Sequence, residues 1–288
     1  MPATNAHRRN DVTIVRDWLS EASRQFSVAD IPSAQLDAEI ILATALNKDR
    51  TFLHAHPEQP IKSYLYKILN KNLKLRLKRI PIAYIVGTKE FYGRNFLVNK
   101  RVLIPRPESE AIIDILSKII NSNLNNKLIS LVDVGTGSGC LGITSKLEFP
   151  NLDVTLIDIS SSALKIAKKN AKSLCAKVNF VKNNLLKNLS ASPDIIIANL
   201  PYVDKTWYLS PETKKEPSLA LFAADKGLFL IKKLISQTNN LLQDGGYIIL
   251  EAEPSQHESI QLFAKKYSLS QIYKIGYAIA FIKNTKTK

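Results

Sequence analysis

Up to residue 83 the apolar positions recur at helical spacing, first at Leu36, Ile40, Ala43 and Leu46, then at Ile61, Leu65, Ile68, Leu69 and Leu73. Pro32 and the Pro57/Pro60 pair punctuate these helices. From Ile80 the character changes. Aromatic and β-branched residues between Tyr84 and Leu103, set around Gly87 and Gly93, predict a short β-hairpin. The segment Ile104-Pro105-Arg106-Pro107-Glu108 then breaks structure before a helix near Ser109. Beyond a polar stretch from Asn121 to Lys127, apolar strands and amphipathic helices alternate. Strands are expected at Leu128–Val134, Asp153–Ile159, Val178–Val181, Asp194–Ala198 and Tyr247–Glu251. Helices are expected toward Phe149, over Ala163–Leu174 behind capping serines, over Gly227–Leu242 and near Glu258–Lys266, with a closing hairpin around Gly276. Such alternation calls for a doubly wound, mainly parallel α/β sheet. The predicted division is a helical domain over 1–83, a hairpin segment over 84–106 and a catalytic domain over 107–288.

Composition narrows this picture. With 288 residues and 45% hydrophobic content, one large domain and a smaller one can both bury a core. No apolar run approaches the roughly 20 residues of a membrane helix, and Met1 to Asp17 lacks the apolar core of a secretory signal. Two cysteines make no disulfide framework and four scattered histidines no zinc cluster, so no metal is expected and the chain reads as cytoplasmic. The net charge of +15 invites an anionic partner, but lysine-rich, Asn- and Ile-rich composition also follows from coding bias. Basic residues crowd Lys62 to Arg79, either as a solvated helix face or as a surface for a ribosome-related partner.

The candidate chemistry begins where the first strand of the alternating region turns into its first helix, at Asp133-Val134-Gly135-Thr136-Gly137-Ser138-Gly139. Glycines there let a backbone approach a ligand closely. The spacing lacks the third glycine position of a dinucleotide fingerprint and the Gly-Lys-Ser/Thr of a phosphate loop. Asp158 closes the next strand, where a carboxylate can accept both ribose hydroxyls of an adenosine. Together these favour S-adenosylmethionine over a nicotinamide dinucleotide. Asn183 and Asn184 stand at a third strand end, either for adenine recognition or simply to form a turn.

Asn199-Leu200-Pro201-Tyr202 follows the fourth strand. An amide or exocyclic amine nitrogen is a poor nucleophile because its lone pair is delocalised. Two acceptors, the Asn199 side-chain oxygen and the Leu200 carbonyl, could take its two N–H groups and aim the lone pair at a methyl donor. Pro201 would stiffen the turn and Tyr202 would lay a ring against the planar acceptor. Alignment and a fixed polar environment then lower the barrier without a metal.

Several segments in order resemble the HemK/PrmC family, the peptide chain release factor N5-glutamine methyltransferases. These are Leu36-Asp37-Ala38-Glu39-Ile40-Ile41-Leu42, Arg79-Ile80-Pro81-Ile82-Ala83-Tyr84-Ile85-Val86-Gly87, Glu90-Phe91-Tyr92-Gly93, Ile104-Pro105-Arg106-Pro107-Glu108-Ser109-Glu110 and Glu216-Pro217-Ser218-Leu219-Ala220-Leu221 running into Ala224-Asp225-Lys226-Gly227. The resemblance implies a seven-stranded S-adenosylmethionine-dependent methyltransferase fold with a small N-terminal helical domain. It implies S-adenosylmethionine held by Gly135, Thr136, Gly137, Ser138, Gly139, Asp158, Asn184, Leu185 and Asn199. The acceptor glutamine of a Gly-Gly-Gln loop in class 1 release factors would be held by Asn199, Leu200, Pro201 and Tyr202, with Phe91, Arg106 and Glu108 shaping the crevice. A monomer is expected, with no membrane partner and no nucleic-acid substrate.

Departures from the family pattern keep other readings in view. Leu200 replaces the usual first proline of Asn-Pro-Pro-Tyr, Asn184 stands for an acidic residue, Leu185 for an aromatic one in some members, and Glu251-Ala252-Glu253 lacks a glycine. Asn-Leu-Pro-Tyr is similar to the ribosomal RNA adenine dimethyltransferases, whose acceptor is also a conjugated amine. A ribosomal-protein glutamine methyltransferase and a non-catalytic binding module complete the alternatives.

Overall fold

The computed structural model describes residues 13–123, 128–187, 189 and 192–285. Much of the Met1–Asp17 stretch and the end of the Asn121–Lys127 stretch lie outside them. The chain forms two compact units, Met1–Val86 and Gly87–Lys288.

The first unit is helical, with α1 at Val15–Val28, α2 at Ala34–Leu46, α3 at Arg50–Ala55, α4 at Tyr66–Leu77 and α5 at Ile82–Val86. Helix α5 occupies the start of the predicted hairpin. The expected apolar stripe of α2 needs correction too. Leu36 is exposed, and the helix instead buries Ala38, Ile41 and Leu42 together with two carboxylates, Asp37 and Glu39. Burial of Asp37 is supported by Arg76 of α4, whose Nε donates to Asp37 Oδ2 at 2.7 Å. Glu39 accepts from Arg50 and Gln35. On α4, Leu69 is buried but Ile68 is exposed, and Lys67, Lys71, Lys74 and Lys78 line one shallow surface groove.

The second unit opens with a hairpin of β1 (Thr88–Phe91) and β2 (Arg94–Leu97), followed by α6 at Glu110–Asn123. The alternating part then runs β3 (Ile129–Val134), α7 (Cys140–Glu148), β4 (Leu152–Asp158), α8 (Ser161–Ser173), β5 (Asn179–Lys182) and β6 (Ile195–Ala198). It continues through a one-turn α9 (Ser218–Leu221), α10 (Phe229–Leu241), β7 (Tyr247–Glu251), α11 (His257–Lys265), β8 (Leu269–Ile275) and β9 (Ala278–Lys283). The strands form one seven-stranded sheet in the order β5-β4-β3-β6-β7-β9-β8. Strand β9 runs antiparallel to both β7 and β8, and the remaining pairs are parallel.

Strand alternation divides the core between the two faces of this sheet. On one side Leu131, Leu156, Ile197 and Ile249 pack with α6 residues such as Ile112 and Leu116. On the other Val132, Ile157, Ile196 and Ile248 pack with α10 and α11 residues such as Ile231 and Ile260. Helices cover both faces, so the central strands are continuous apolar runs. The buried Lys283 ammonium donates to the carbonyls of Asn239 and Leu242 at 2.7 Å each, satisfying groups at the C-terminal end of α10. The strand order reverses at β3, which lies between β4 and β6. A crevice therefore opens beyond the carboxyl ends of β3 and β6.

Candidate active site

The crevice is a cavity of about 410 Å3, within the range of small-molecule sites. Its walls bring together most of the residues singled out from the sequence: Gly135 to Ser138 after β3, Asp158 at the end of β4, Asn184 and Leu185 after β5, and Asn199, Leu200 and Pro201 after β6, whereas Gly139 does not line it and packs toward Ile143 and Ala167. Arg106 and Ser109 close one side. A smaller cavity of about 160 Å3 is lined by Arg106, Asn199, Leu200, Tyr202 and Glu251. Asn199 and Leu200 thus border both.

The glycine turn takes the conformation that its residues allow. Gly135, Gly137 and Gly139 have φ of +76°, +57° and +85°. A Cβ on Gly135 would meet Leu200 Cδ2 at 2.8 Å, so the turn lies directly on the loop after β6. The backbone N–H groups of Gly135 and Thr136 both donate to the Ile157 carbonyl, at 2.8 and 2.9 Å. Beneath the turn, Asp133 Oδ2 accepts from the Thr136 hydroxyl and the Gly142 amide. Burial pushes the Asp133 carboxyl up to about 7. Asp158 accepts from Gly137 N at 2.9 Å and from Ser160 N at 2.7 Å, one bond to each oxygen. Each oxygen keeps a lone pair for a ligand hydroxyl. Burial raises the Asp158 carboxyl from its ordinary value, and these two bonds oppose the shift.

At the far end of the cavity the two asparagines differ. Asn183 Nδ2 donates to the Lys187 carbonyl and its Oδ1 accepts from Asn184 N, so its side chain is used in the turn. Asn184 is exposed, while Leu185 is buried with φ +53°. Cys140 also lines the cavity, but burial pushes its thiol up to about 12, which leaves no reactive thiolate.

The loop after β6 is held from several sides. Asn199 Nδ2 donates to Ser109 Oγ at 3.0 Å. The Tyr202 hydroxyl donates to Glu251 Oε1 at 3.0 Å, and Gln256 Nε2 donates to the Tyr202 carbonyl at 2.9 Å. The Ile104–Glu110 segment is tied to a second segment singled out earlier, because Glu216 accepts from Ile104 N and pairs with Arg106.

Two expectations are corrected here. Phe91 lines neither cavity; it is 1% exposed and packs edge-on against Phe96 in the core. Its alternation on a two-stranded ribbon turns it into the core cluster that holds the α6 residues Ile112 and Leu116. Glu108 is exposed and lines neither cavity, although its charge is felt by Glu251. Three residues were missed. Ser109 and Glu251 support the loop, and only their place inside motifs pointed to them. Asn170 bonds the Leu97 N–H and carbonyl and the Ser138 carbonyl; a polar residue on the apolar face of α8 was its one signal. Among the described residues, no cluster of His, Cys, Asp or Glu could hold a metal, and no helix is long and apolar enough to cross a membrane.

The reversed strand order, the antiparallel β9 and the glycine turn at the switch point define the fold of an S-adenosylmethionine-dependent methyltransferase. A solved methyltransferase from Pyrococcus furiosus shares it, with a TM-score of 0.51 at 17% identity, covering 78% of this chain and all of that one. The PrmC N-terminal domain family matches residues 17–87 and the methyltransferase small domain family residues 108–210. A release factor glutamine methyltransferase of Koribacter versatilis is 37% identical, over 82% of this chain and 85% of that protein. The chain belongs to the release factor glutamine methyltransferase family. A bifunctional methyltransferase of Rickettsia bellii is 33% identical over 86% of this chain, which spans about half (50%) of that longer protein.

Proposed function

We propose that the chain transfers the methyl group of S-adenosylmethionine to the side-chain amide nitrogen of the glutamine in the Gly-Gly-Gln motif of class 1 release factors. The observation that carries this reading is the setting of Asn199. Its Nδ2 is engaged by Ser109 while Oδ1 accepts no hydrogen bond from a described residue, at the border of the two cavities.

The larger cavity suits the cofactor. The Cβ-free edge of Gly137, open but for the Gly135 carbonyl at 3.9 Å, admits close approach, and Asp158 offers two partly free oxygens toward a ribose. Asn184 and Leu185 would border the adenine. When bound, the cofactor supplies an electrophilic methyl group on a sulfonium. The protein's own part is alignment. Asn199 Oδ1 and the Leu200 carbonyl would take the two amide N–H groups, turning the nitrogen lone pair toward the larger cavity. Tyr202 borders the smaller cavity, where its ring would flank the glutamine amide. The amide proton leaves during or after transfer.

Family membership supports glutamine as the acceptor, and the Asn199–Tyr202 geometry supports a planar conjugated amine in general. Incubation with labelled S-adenosylmethionine and release factor, its Gln→Ala variant, ribosomal protein or ribosomal RNA tests the choice. Label is expected in the release factor and absent from the Gln→Ala variant. Label in RNA but not in release factor would overturn it.

A further inference from the structure

Glu251 ends β7, is 1% exposed, and lines the smaller cavity. One oxygen accepts from Tyr202, and the other has no partner of hydrogen-bonding geometry among the described residues. The side chains of Ser109 and Asn199 are nevertheless close enough to stabilise its charge. An ionised carboxylate is an acceptor only. Such a group beside them favours donors, the Ser109 hydroxyl proton and the Asn199 amino group, on its own side, in keeping with the observed bond from Asn199 Nδ2 to Ser109 Oγ.

An asparagine amide can sit in either of two orientations, and only one presents oxygen to an incoming N–H. We infer that Glu251 is a positioning residue whose negative charge, acting on Asn199 directly and through Ser109, locks the Asn199 amide with Oδ1 toward the substrate. This rests on the proposed reading of Asn199 as an acceptor for substrate N–H groups. With Glu251 neutral, a proton or amino group on the oxygen that Tyr202 leaves free would favour the flipped amide. The flipped amide would present Nδ2 to a substrate N–H, donor against donor.

A shape role and a charge role predict opposite orders for two substitutions. Glu251→Gln keeps the volume but adds a donor; Glu251→Asp shortens the chain but keeps an acceptor-only group. If charge sets the amide, kcat in Glu251→Gln falls about a hundredfold, the scale for losing one oriented hydrogen bond in a transition state. Glu251→Asp retains more activity than Glu251→Gln, and S-adenosylmethionine affinity stays within about threefold of wild type in both, because Glu251 lies outside the larger cavity and reaches its wall only through the orientation of Asn199 and Ser109. Glu251→Gln close to wild type, or below it but above Glu251→Asp, overturns the inference.

Should Glu251→Gln fail to fold, the pH profiles of wild type and Glu251→Asp at saturating S-adenosylmethionine carry the test. Burial raises the Glu251 carboxyl above its ordinary value, and bonds from Ser109 and Tyr202 oppose this. The titratable or charged groups around it are Tyr202, Glu108, Cys140 and Tyr277, with Arg106 across the cavity. An acid limb in kcat above the ordinary carboxylate range is expected in wild type and is displaced in Glu251→Asp; its absence, or a limb that stays in place in that variant, overturns the inference. Failure of the substrate reading stays separate. If label enters RNA instead of release factor, that reading is lost, while the order of the two variants can still be measured on RNA.

Discussion

A Cβ placed on Gly227 would stand 1.9 Å from the backbone oxygen of Tyr202 and 2.6 Å from Gln256 Nε2. The glycine has φ +85°, and Gln256 bridges the carbonyls of Tyr202 and Lys226 across the same spot. The loop that carries Asn199 and Tyr202 is thus seated on a glycine 25 residues beyond Tyr202 in the chain.

Gly227→Ala must therefore displace this loop, because one side of the contact is backbone. Positive φ adds about 1 kcal/mol of strain. Methyl transfer is expected to fall at least about tenfold, as a small misplacement of an orienting group does. Cofactor affinity should change little, since Gly227 lies away from the larger cavity. Steady-state kinetics beside calorimetric binding of S-adenosylmethionine checks this; equal losses in both would show that the two cavities deform together.

Leu200 is the residue that most separates this chain from the pattern it resembles, and its contact with Gly135 gives it a packing role. It is 3% exposed, so Leu200→Ala should cost about 2–4 kcal/mol in denaturant unfolding. Gly135→Ala drives a methyl toward Leu200 Cδ2 and should weaken cofactor binding. In the double variant the smaller residue at 200 makes room for that methyl. Its affinity loss is expected to be smaller than that of Gly135→Ala alone. Strict additivity would mean that backbone strain at φ +76° is the whole effect.

The sheet and its order of elements were legible in the sequence because both faces are covered. Ile195, Ile196 and Ile197 must all be apolar, and the glycine turns and capping serines mark where each run ends. Ser160 does cap α8, accepting from Ala163 N. The helical unit was less legible. Its α2 buries Asp37 and Glu39 and exposes Leu36, which inverts the usual meaning of an apolar stripe. Partners elsewhere account for this, Arg76 for Asp37 and Arg50 with Gln35 for Glu39. For the same reason Phe91 was misplaced, since a motif marks a residue without saying whether it faces ligand or core. Glu251 and Ser109 lie far apart in sequence and meet only once the sheet is built.

The Asp37–Arg76 pair gives a direct stability test. Both side chains are nearly inaccessible, at 3% and 4% exposure. Removing one partner strands a buried charge, so Asp37→Ala and Arg76→Ala should each cost about 3–5 kcal/mol. Replacing both should cost less than the sum, because no charge is left unpaired. Fluorescence of Trp18, buried in α1, followed during urea unfolding in a Trp207→Phe background, reads the helical unit; additive losses would mean that each group is held by other contacts.

Asp133 gives the chain a pH-dependent stability term of unusual sign for a carboxylate. Its carboxyl lies at about 7 in the folded state against 3.8 for the unperturbed group. The folded protein thus holds the proton that the unfolded chain releases. Below about pH 4 both states are protonated and burial of the neutral group carries no ionisation cost. Between about pH 4 and about 7 the unfolded state ionises first, so stability falls as pH rises, and the loss levels off above about 7. Asp158 and Glu251 are shifted in the same direction, so the wild-type slope alone does not isolate Asp133. Asp133→Asn does, because it removes one titration. It also leaves an amide nitrogen where Oδ1 now has no partner, which adds a cost that does not vary with pH. The stability of the Asn variant relative to wild type should rise steadily across that window. Urea midpoints measured for both proteins through the range would show it, and a constant difference would mean that Asp133 is ionised in the folded protein throughout.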